Sequence, residues 1–276
     1  MEKLIEQFQR IPWASFGRTT LISKLAASVL PVGNFPQPLP SLNAGLQQEL
    51  GDENYEDHLM DIQGTAFQVG QGKLLTCLHV CEALATSENR AYVQTTHFAD
   101  GIWYKRYWPI VTTLGFIDPR TNAGNSDVDI GIIISPGRYD LYGLTESPTV
   151  RCADSAQAGV GDRVLIGGYP LGLDMFLATA TNRGVIQPSF YDGVISAIIP
   201  ASRENETRLL QISSVALGGI SGGVVCNEKG RVLGMVTSGL TTNEGTALPI
   251  TYAIPSEVLR PWSEAVTYRT ANGILR

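Results

Sequence analysis

The feature that most constrains the fold is a long succession of short apolar segments, separated by turn residues, that begins after Gln63. Each segment is rich in Val, Ile, Leu, Thr or aromatic residues and is bounded by Gly, Pro, Asn or Asp. Examples are GTAFQVG, GKLLTCL, DIGIIIS, DRVLIGGY, GGVVCN, RVLGMVTSG and ITYAIP. Glycine supplies 29 of the 276 residues, above the usual proportion of about 7%. The pattern predicts an all-β protein built as a sandwich or barrel, in one large domain or two small lobes.

Composition and charge exclude several classes of partner. The net charge is −6 and no basic stripe is present, so nucleic acid is not expected to bind. No apolar run reaches the roughly 18 residues that span a membrane, and the N-terminal segment lacks the apolar core of a signal peptide. Without a secretion signal, the cysteines are expected to be small buried thiols; they are Cys77, Cys81, Cys152 and Cys226. These features predict a cytoplasmic protein.

The segments before the strand-rich region differ from it in composition and in predicted structure. Residues 1 to about 20 predict a short helix, within an N-terminal appendage of residues 1–26 that packs on the domain or docks a partner. A first strand is expected over 27–32, followed by a proline-rich loop at the start of the 33–62 insertion. The acidic stretch 47–60 is interpreted as a solvated helix face, with a metal site as the alternative.

The strongest local signal for chemistry is the run Gly219-Ile220-Ser221-Gly222-Gly223. Hydrolysis of an amide by a serine requires backbone N–H groups that bind the developing oxyanion. Glycine two residues before the serine allows a positive φ, which can direct the N–H groups of Gly219 and Ser221 at one point. The alternative interpretation is a simple β-turn between two strands.

Two further segments supply partners for such a serine. His79 lies at the end of a predicted strand, just before a helical turn, where it can face a cleft. Asp129 enters an apolar run, and its burial requires a hydrogen-bond partner such as a histidine N–H. Asp127 competes for this role but lies one strand period earlier, nearer to solvent. The sequence therefore predicts Ser221 as nucleophile, His79 as general base and Asp129 as the group that orients the histidine.

The order and spacing of these blocks resemble the trypsin-like serine peptidases, and most closely the bacterial high-temperature-requirement, or Deg-like, branch. GTAFQVGQGKLLTCLHV is similar to that branch's histidine block, DVDIGII to its aspartate strand and LQISSVALGGISGGVV to its nucleophile block. GDRVLIGGYPLGL, RVLGMVTSG and TYAIPSEVL resemble three more of its segments. The similarity covers roughly residues 27–262.

The resemblance implies a trypsin-like double barrel, with two six-stranded antiparallel β-barrels and the catalytic residues in the cleft between them. The peptidase domain is expected over 27–276, with lobes at roughly 27–145 and 146–262 and a C-terminal helix at 256–265. Ile220 stands where secreted relatives carry an aspartate that pairs with a newly cut N-terminus, so activation by that ion pair is not expected. Val224 and Ala66 are minor departures, and no PDZ domain is expected after the AIPS segment.

The implied reaction is hydrolysis of peptide bonds through an acyl-enzyme intermediate, with no metal or organic cofactor. A peptide would pair with the edge of the strand at 237–239. Because the implied pocket offers no carboxylate, a small or medium apolar side chain is expected on the acyl side of the cut. By the resemblance, the residues that line this pocket are Val215, Thr237, Ser238, Gly239 and Thr251.

Three other interpretations stay open at this stage. The fold can serve as a peptide-binding module that no longer cuts its ligand. It can also be a latent protease in which a regulatory protein partner reorders the loop 218–221. The third is a thiol peptidase that uses Cys226, although this residue follows the glycine pair in a strand that is expected to be buried.

Overall fold

The computed structural model describes residues 18–34, 60–70, 72–86, 91–99, 102–115, 128–135, 149–172, 187–200, 208–265, 268–270 and 273–275. Within these ranges most of the chain is β-structure. The α-helices described are α1 (Arg18–Ser28), α2 (Leu78–Thr86) and α3 (Ser256–Ala265), and a short 3₁₀ helix spans Ser155–Gln157. No helix in the described ranges combines the length and the apolar character needed to cross a bilayer.

The N-terminal lobe is one curled antiparallel sheet. Its seven strands are β1 (Val29–Asn34), β2 (Asp61–Gly70), β3 (Lys73–Thr76), β4 (Ala91–Ala99), β5 (Ile102–Pro109), β6 (Thr112–Gly115) and β7 (Gly131–Ile134). They are hydrogen-bonded in the order β5-β4-β1-β2-β3-β7-β6. β7 is fully buried, since it lies between β3 and β6 and is covered by the apolar face of α2.

The C-terminal lobe is a closed barrel. Its strands are β8 (Arg163–Gly168), β9 (Ser189–Ile199), β10 (Leu209–Ile212), β11 (Val224–Cys226), β12 (Val232–Thr241) and β13 (Ala247–Pro255). They close in the order β10-β13-β12-β11-β8-β9. A separate two-stranded hairpin, β14 (Tyr268–Thr270) and β15 (Gly273–Leu275), follows α3.

Alternating side chains of the barrel strands fill its interior. Fully buried members of this cluster are Ile166, Ile195, Leu210, Ile212 and Val236. Burial of each such side chain contributes about 1.5–3 kcal/mol relative to exposure. Ile220, which lies outside the strands, is buried in the same cluster and so anchors the loop that contains Ser221 in the barrel.

The predicted all-β double-lobed fold is confirmed, with differences in detail. The N-terminal lobe is a seven-stranded sheet, and in its described residues no ladder joins the end strands β5 and β6, whereas two six-stranded barrels were expected. The first strand begins at Val29, because α1 continues through Ser28 and buries Leu25 against the core. The predicted C-terminal helix is α3. Residues 1–17 and 35–59, with most of the predicted appendage and acidic stretch, lie outside the described residues.

Candidate active site

His79 is presented to solvent by the first turn of α2. The helix begins at Leu78, so the backbone N–H of His79 is one of the first-turn donors without a partner inside the helix. That N–H donates to Asp129 Oδ1 at 3.0 Å. The imidazole Nδ1 lies 2.9 Å from Asp129 Oδ2 and 3.0 Å from Oδ1, and 49% of the histidine side chain is exposed.

These contacts determine the state of the imidazole. An ionised carboxylate only accepts hydrogen bonds, so the ring nitrogen that faces Asp129 carries a proton. The neutral ring therefore has its free lone pair on Nε2, the atom that a general base uses. The hydrogen bond to Asp129 raises the pKa of His79 above its ordinary value of 6.5, against the opposing effect of burial.

Asp129 lies two residues before β7, between two buried neighbours, Val128 and Ile130. Burial disfavours its charged form, but the hydrogen bonds from His79 and Thr237 outweigh burial and lower the pKa of Asp129 to about 2. The carboxylate is therefore ionised at neutral pH. It also faces the N-terminus of α2, where a negative charge is favoured.

Thr237 connects this pair to the serine. Its hydroxyl donates to Asp129 Oδ2 at 2.5 Å, and its carbonyl oxygen is 3.4 Å from Ser221 Oγ. The predicted nucleophile and the Asp129–His79 pair thus share one neighbour. Among the described hydrogen bonds, Ser221 Oγ donates only to this carbonyl, at a long distance that a rotation about χ1 breaks easily.

The backbone around Ser221 has the conformation that its glycines allow. Gly219 has φ +85° and Gly222 has φ +82°, values that other residues rarely adopt. A Cβ on Gly222 would lie 2.0 Å from the carbonyl oxygen of Thr65. In the described part of the chain, neither the Gly219 N–H nor the Ser221 N–H donates to a backbone carbonyl. Within the described residues, both N–H groups are therefore available to a ligand oxygen.

The predicted pocket residues have different environments. Val215 is 38% exposed, whereas Thr251 is fully buried and its hydroxyl donates to Ser214 O at 2.8 Å. Thr251 therefore supports the 214–215 segment from behind. Ser238 and Gly239 are exposed on β12, and a Cβ on Gly239 would lie 2.8 Å from the Cβ of Ala216. The strand that contains Gly239 and the segment that contains Ala216, which form the two walls of the predicted pocket, are therefore in contact.

The cysteines do not form a second centre in the described residues. The free thiol of Cys226 is fully buried on β11, and burial raises its pKa. Cys77 Sγ, a ring nitrogen of His79 and a carboxylate oxygen of Asp129 lie within 4.8 Å of one another, a spacing that a metal ion could use. However, burial and the charge of Asp129 raise the pKa of Cys77 well above its ordinary value, and its thiol donates to Val236 O at 3.1 Å. These contacts fit a histidine–carboxylate pair better than a metal centre.

The sequence analysis missed two hydrogen bonds that build the site. Thr237 was expected in the pocket, and its bond to Asp129 joins residues 108 apart in the chain. Thr65 was not singled out, although its hydroxyl contacts Gly219, 154 positions away. The alternative aspartate, Asp127, lies outside the described residues.

Comparison with known proteins gives a family and a fold. Residues 64–235 match the family model described as "Trypsin-like peptidase domain". The structure is similar to HtrA-type protease AlgW with decapeptide, with TM-score 0.59 and 18% identity over 90% of this chain and 66% of that one. It is also similar to HtrA-type protease AlgW in a serine-to-alanine variant with tripeptide. That match has TM-score 0.53 and 18% identity, and it covers 89% of this chain and 63% of the other. This chain therefore spans just under two thirds of the length of these proteins. Comparison with curated sequences gives no match.

Proposed function

Because the chain belongs to the trypsin-like peptidase domain family, we propose that it is a serine endopeptidase in which Ser221, His79 and Asp129 form the catalytic triad. The observation that carries the proposal is the Asp129–His79 pair, whose geometry leaves Nε2 as the basic nitrogen. Thr237 supports the assignment of Ser221, since it contacts both Asp129 and Ser221.

The proposed reaction uses each group in turn. Ser221 rotates away from the Thr237 carbonyl, and His79 Nε2 takes the hydroxyl proton as Oγ forms a bond to the peptide carbonyl carbon. The carbonyl π electrons move to oxygen, which accepts hydrogen bonds from the N–H groups of Gly219 and Ser221. His79 then gives its proton to the leaving amine as the C–N bond breaks. Water repeats the two steps to release the acid and restore the serine.

The proposed substrate is an extended protein or peptide segment. β11 pairs with β12 only as far as Met235, and beyond this point β12 is hydrogen-bonded to β13 alone among the described strands. The free edge at Ser238 and Gly239 therefore offers main-chain groups to an added strand. Both AlgW structures contain peptides, which supports a peptide ligand for the same fold here.

The specificity proposed for the acyl side is a small apolar residue. The close approach of Gly239 to Ala216 narrows the slot between the two pocket walls, and exposed Val215 offers an apolar surface with no carboxylate. A peptide library digested by the purified protein and read by mass spectrometry should show cuts after alanine or valine at least about 10-fold faster than after arginine or lysine. A preference for arginine would contradict the pocket assignment.

The pH dependence follows from the raised pKa of His79. The base form of His79 appears as pH rises through its pKa, so kcat/KM should increase with pH and reach a plateau. Since the bond to Asp129 raises this pKa, the midpoint should lie above 6.5. Initial rates with a fluorogenic peptide from about pH 5 to about pH 9 would measure it. A midpoint below 6.5 would argue against the bonded pair in solution.

A further inference from the structure

The loop 218–221, which supplies the proposed oxyanion donors, contains no charged side chain that could anchor it through an ion pair. By the resemblance to secreted trypsin-like peptidases, Ile220 stands where those proteins carry an aspartate that pairs with a cut N-terminus. Its side chain is buried in the barrel interior. An apolar side chain anchors the loop by burial but does not orient its peptide groups. The orientation of the Gly219 N–H therefore depends on hydrogen bonds.

Two contacts orient the peptides on either side of Gly219. The Leu171 N–H donates to Gly218 O at 2.5 Å. Because the C=O and N–H of a trans peptide point in opposite directions, this bond turns the Gly219 N–H to the other side of the loop. The next carbonyl, Gly219 O, accepts a hydrogen bond from the Thr65 hydroxyl at 2.7 Å. A flip of either peptide would break one of these bonds.

Thr65 is connected to both contacts. Its Oγ1 also accepts the Tyr169 N–H at 3.0 Å, and Tyr169 begins the turn that contains Leu171. One hydroxyl thus bridges the loop and the turn that supports it. Leu171 has φ +60°, an unfavourable conformation for this residue, so its turn requires support from neighbouring groups.

The hydroxyl is itself held in place. Thr65 is fully buried on β2, its N–H donates to Ser221 O at 2.9 Å, and its carbonyl accepts from Thr76 Oγ1 at 2.7 Å. A strand of the N-terminal lobe therefore contacts the nucleophile loop through backbone and side chain together. The β-branched side chain of Thr65 has few alternative rotamers, which keeps its hydroxyl directed at Gly219 O.

We propose that Thr65 is a positioning residue that keeps the oxyanion hole assembled, so that the peptidase is active without a cut N-terminus or a partner. This inference rests on the proposed function and deepens it, since it addresses how the site is regulated. Thr65 acts through Gly219 and does not touch the substrate.

The test uses Thr65→Val, which keeps the shape of the side chain and removes the hydroxyl. Loss of one oxyanion donor costs about 10²- to 10³-fold in kcat, and a misplaced donor should cost about 10- to 100-fold. The affinity for a peptide aldehyde, whose adduct carries the oxyanion, should fall by a similar factor. The Kd of the matching peptide alcohol, which forms no adduct, should change by less than about 3-fold.

Two controls separate positioning from stability. Thr65→Ser keeps the hydroxyl and should retain kcat within about 3-fold. Thr76→Val removes a neighbouring buried hydroxyl that packs beside Gly222 but, among the described contacts, donates to Thr65 O and not to the peptide groups of Gly218 or Gly219. Thr76→Val should lower the melting temperature. It should not weaken binding of the peptide aldehyde more than binding of the matching peptide alcohol. If Thr65→Val does not fold, Thr65→Cys, with its weaker thiol donor, replaces it and should show a smaller loss of the same kind.

The outcomes distinguish this inference from the proposed function. An active wild type whose kcat and aldehyde affinity survive Thr65→Val contradicts the positioning role alone. If the wild type becomes active only after a partner is added, the oxyanion hole is not assembled in the free protein and this inference is contradicted. The assignment of the catalytic triad is then supported. A wild type with no peptidase activity under any condition contradicts the proposed function and this inference with it.

Discussion

Replacing Ser221 with alanine is expected to lower kcat for peptide hydrolysis by about 10⁴- to 10⁶-fold. The variant lacks the oxygen that forms the acyl-enzyme, while the rest of the site is unchanged. Stability should change little, because Ser221 is only partly buried and its hydroxyl makes a single long hydrogen bond among the described contacts, to Thr237 O at 3.4 Å. Hydrolysis of a fluorogenic peptide by the purified variant, with its melting temperature recorded in parallel, measures both effects.

A matched control for this variant is Ser213→Ala. Ser213 is also a serine outside the strands, and its hydroxyl makes a comparably long hydrogen bond, to Val194 O at 3.3 Å. Ser213 has no role in the proposed reaction, so the kcat of Ser213→Ala should stay within about 2-fold of the wild-type value. A Ser221→Ala protein that retains more than about a hundredth of wild-type activity would rule out Ser221 as the nucleophile.

The second large effect is expected for Asp129→Asn, with a fall of about 10⁴-fold in kcat. An amide NH₂ facing the ring would favour the tautomer with the proton on Nε2, which cannot take the serine proton. The charge that raises the pKa of His79 and stabilises the imidazolium is also lost. Single-turnover rates across the pH range measure the effect on the chemical step without product release.

Asp162→Asn provides the control for a change of carboxylate to amide. Asp162 is exposed and accepts the Gly159 N–H at 2.8 Å, as Asp129 accepts the His79 N–H, but it lies away from the site. Its kcat should be unchanged within about 2-fold. If Asp129→Asn were as active as Asp162→Asn, the Asp129–His79 pair would have no catalytic role and another carboxylate would have to orient the histidine.

Much of the architecture could be predicted from the sequence because local patterns encode it. Short apolar runs bounded by turn residues, such as GTAFQVG and RVLGMVTSG, indicate strands, and both segments lie in strands in the structure. The order of His79, Asp129 and Ser221 pointed to one site, and the structure brings His79 into contact with Asp129, with Thr237 linking that pair to Ser221.

Contacts between distant segments could not be predicted in this way. The bond between Thr237 and Asp129 depends on how β12 of one lobe approaches β7 of the other, and periodicity carries no information on that approach. Thr65 looks like an ordinary buried strand residue until its hydroxyl is seen against Gly219. Likewise, the extra pairing of β6 with β7 depends on register, which a pattern of apolar residues does not determine.

The three remaining interpretations differ in what they require of the site. A thiol peptidase would need an accessible, ionisable sulfur, whereas Cys226 is buried and burial raises its pKa. A binding module would have no need of a carboxylate that determines the tautomer of His79. A latent enzyme would have its oxyanion donors engaged or turned away, whereas the N–H groups of Gly219 and Ser221 make no backbone hydrogen bond in the described residues. These points favour the constitutive peptidase.

The most direct test is the reaction of the purified wild-type protein with a fluorophosphonate probe, with the labelled residue identified by mass spectrometry. A phosphonyl group reacts with a serine only when a base removes its proton and the developing oxyanion is bound. We expect near-stoichiometric labelling on Ser221, and none in Ser221→Ala or His79→Ala. Absence of labelling in a folded wild-type protein, or labelling that persists in His79→Ala, would contradict the assignment of a serine peptidase with a competent His79–Ser221 pair.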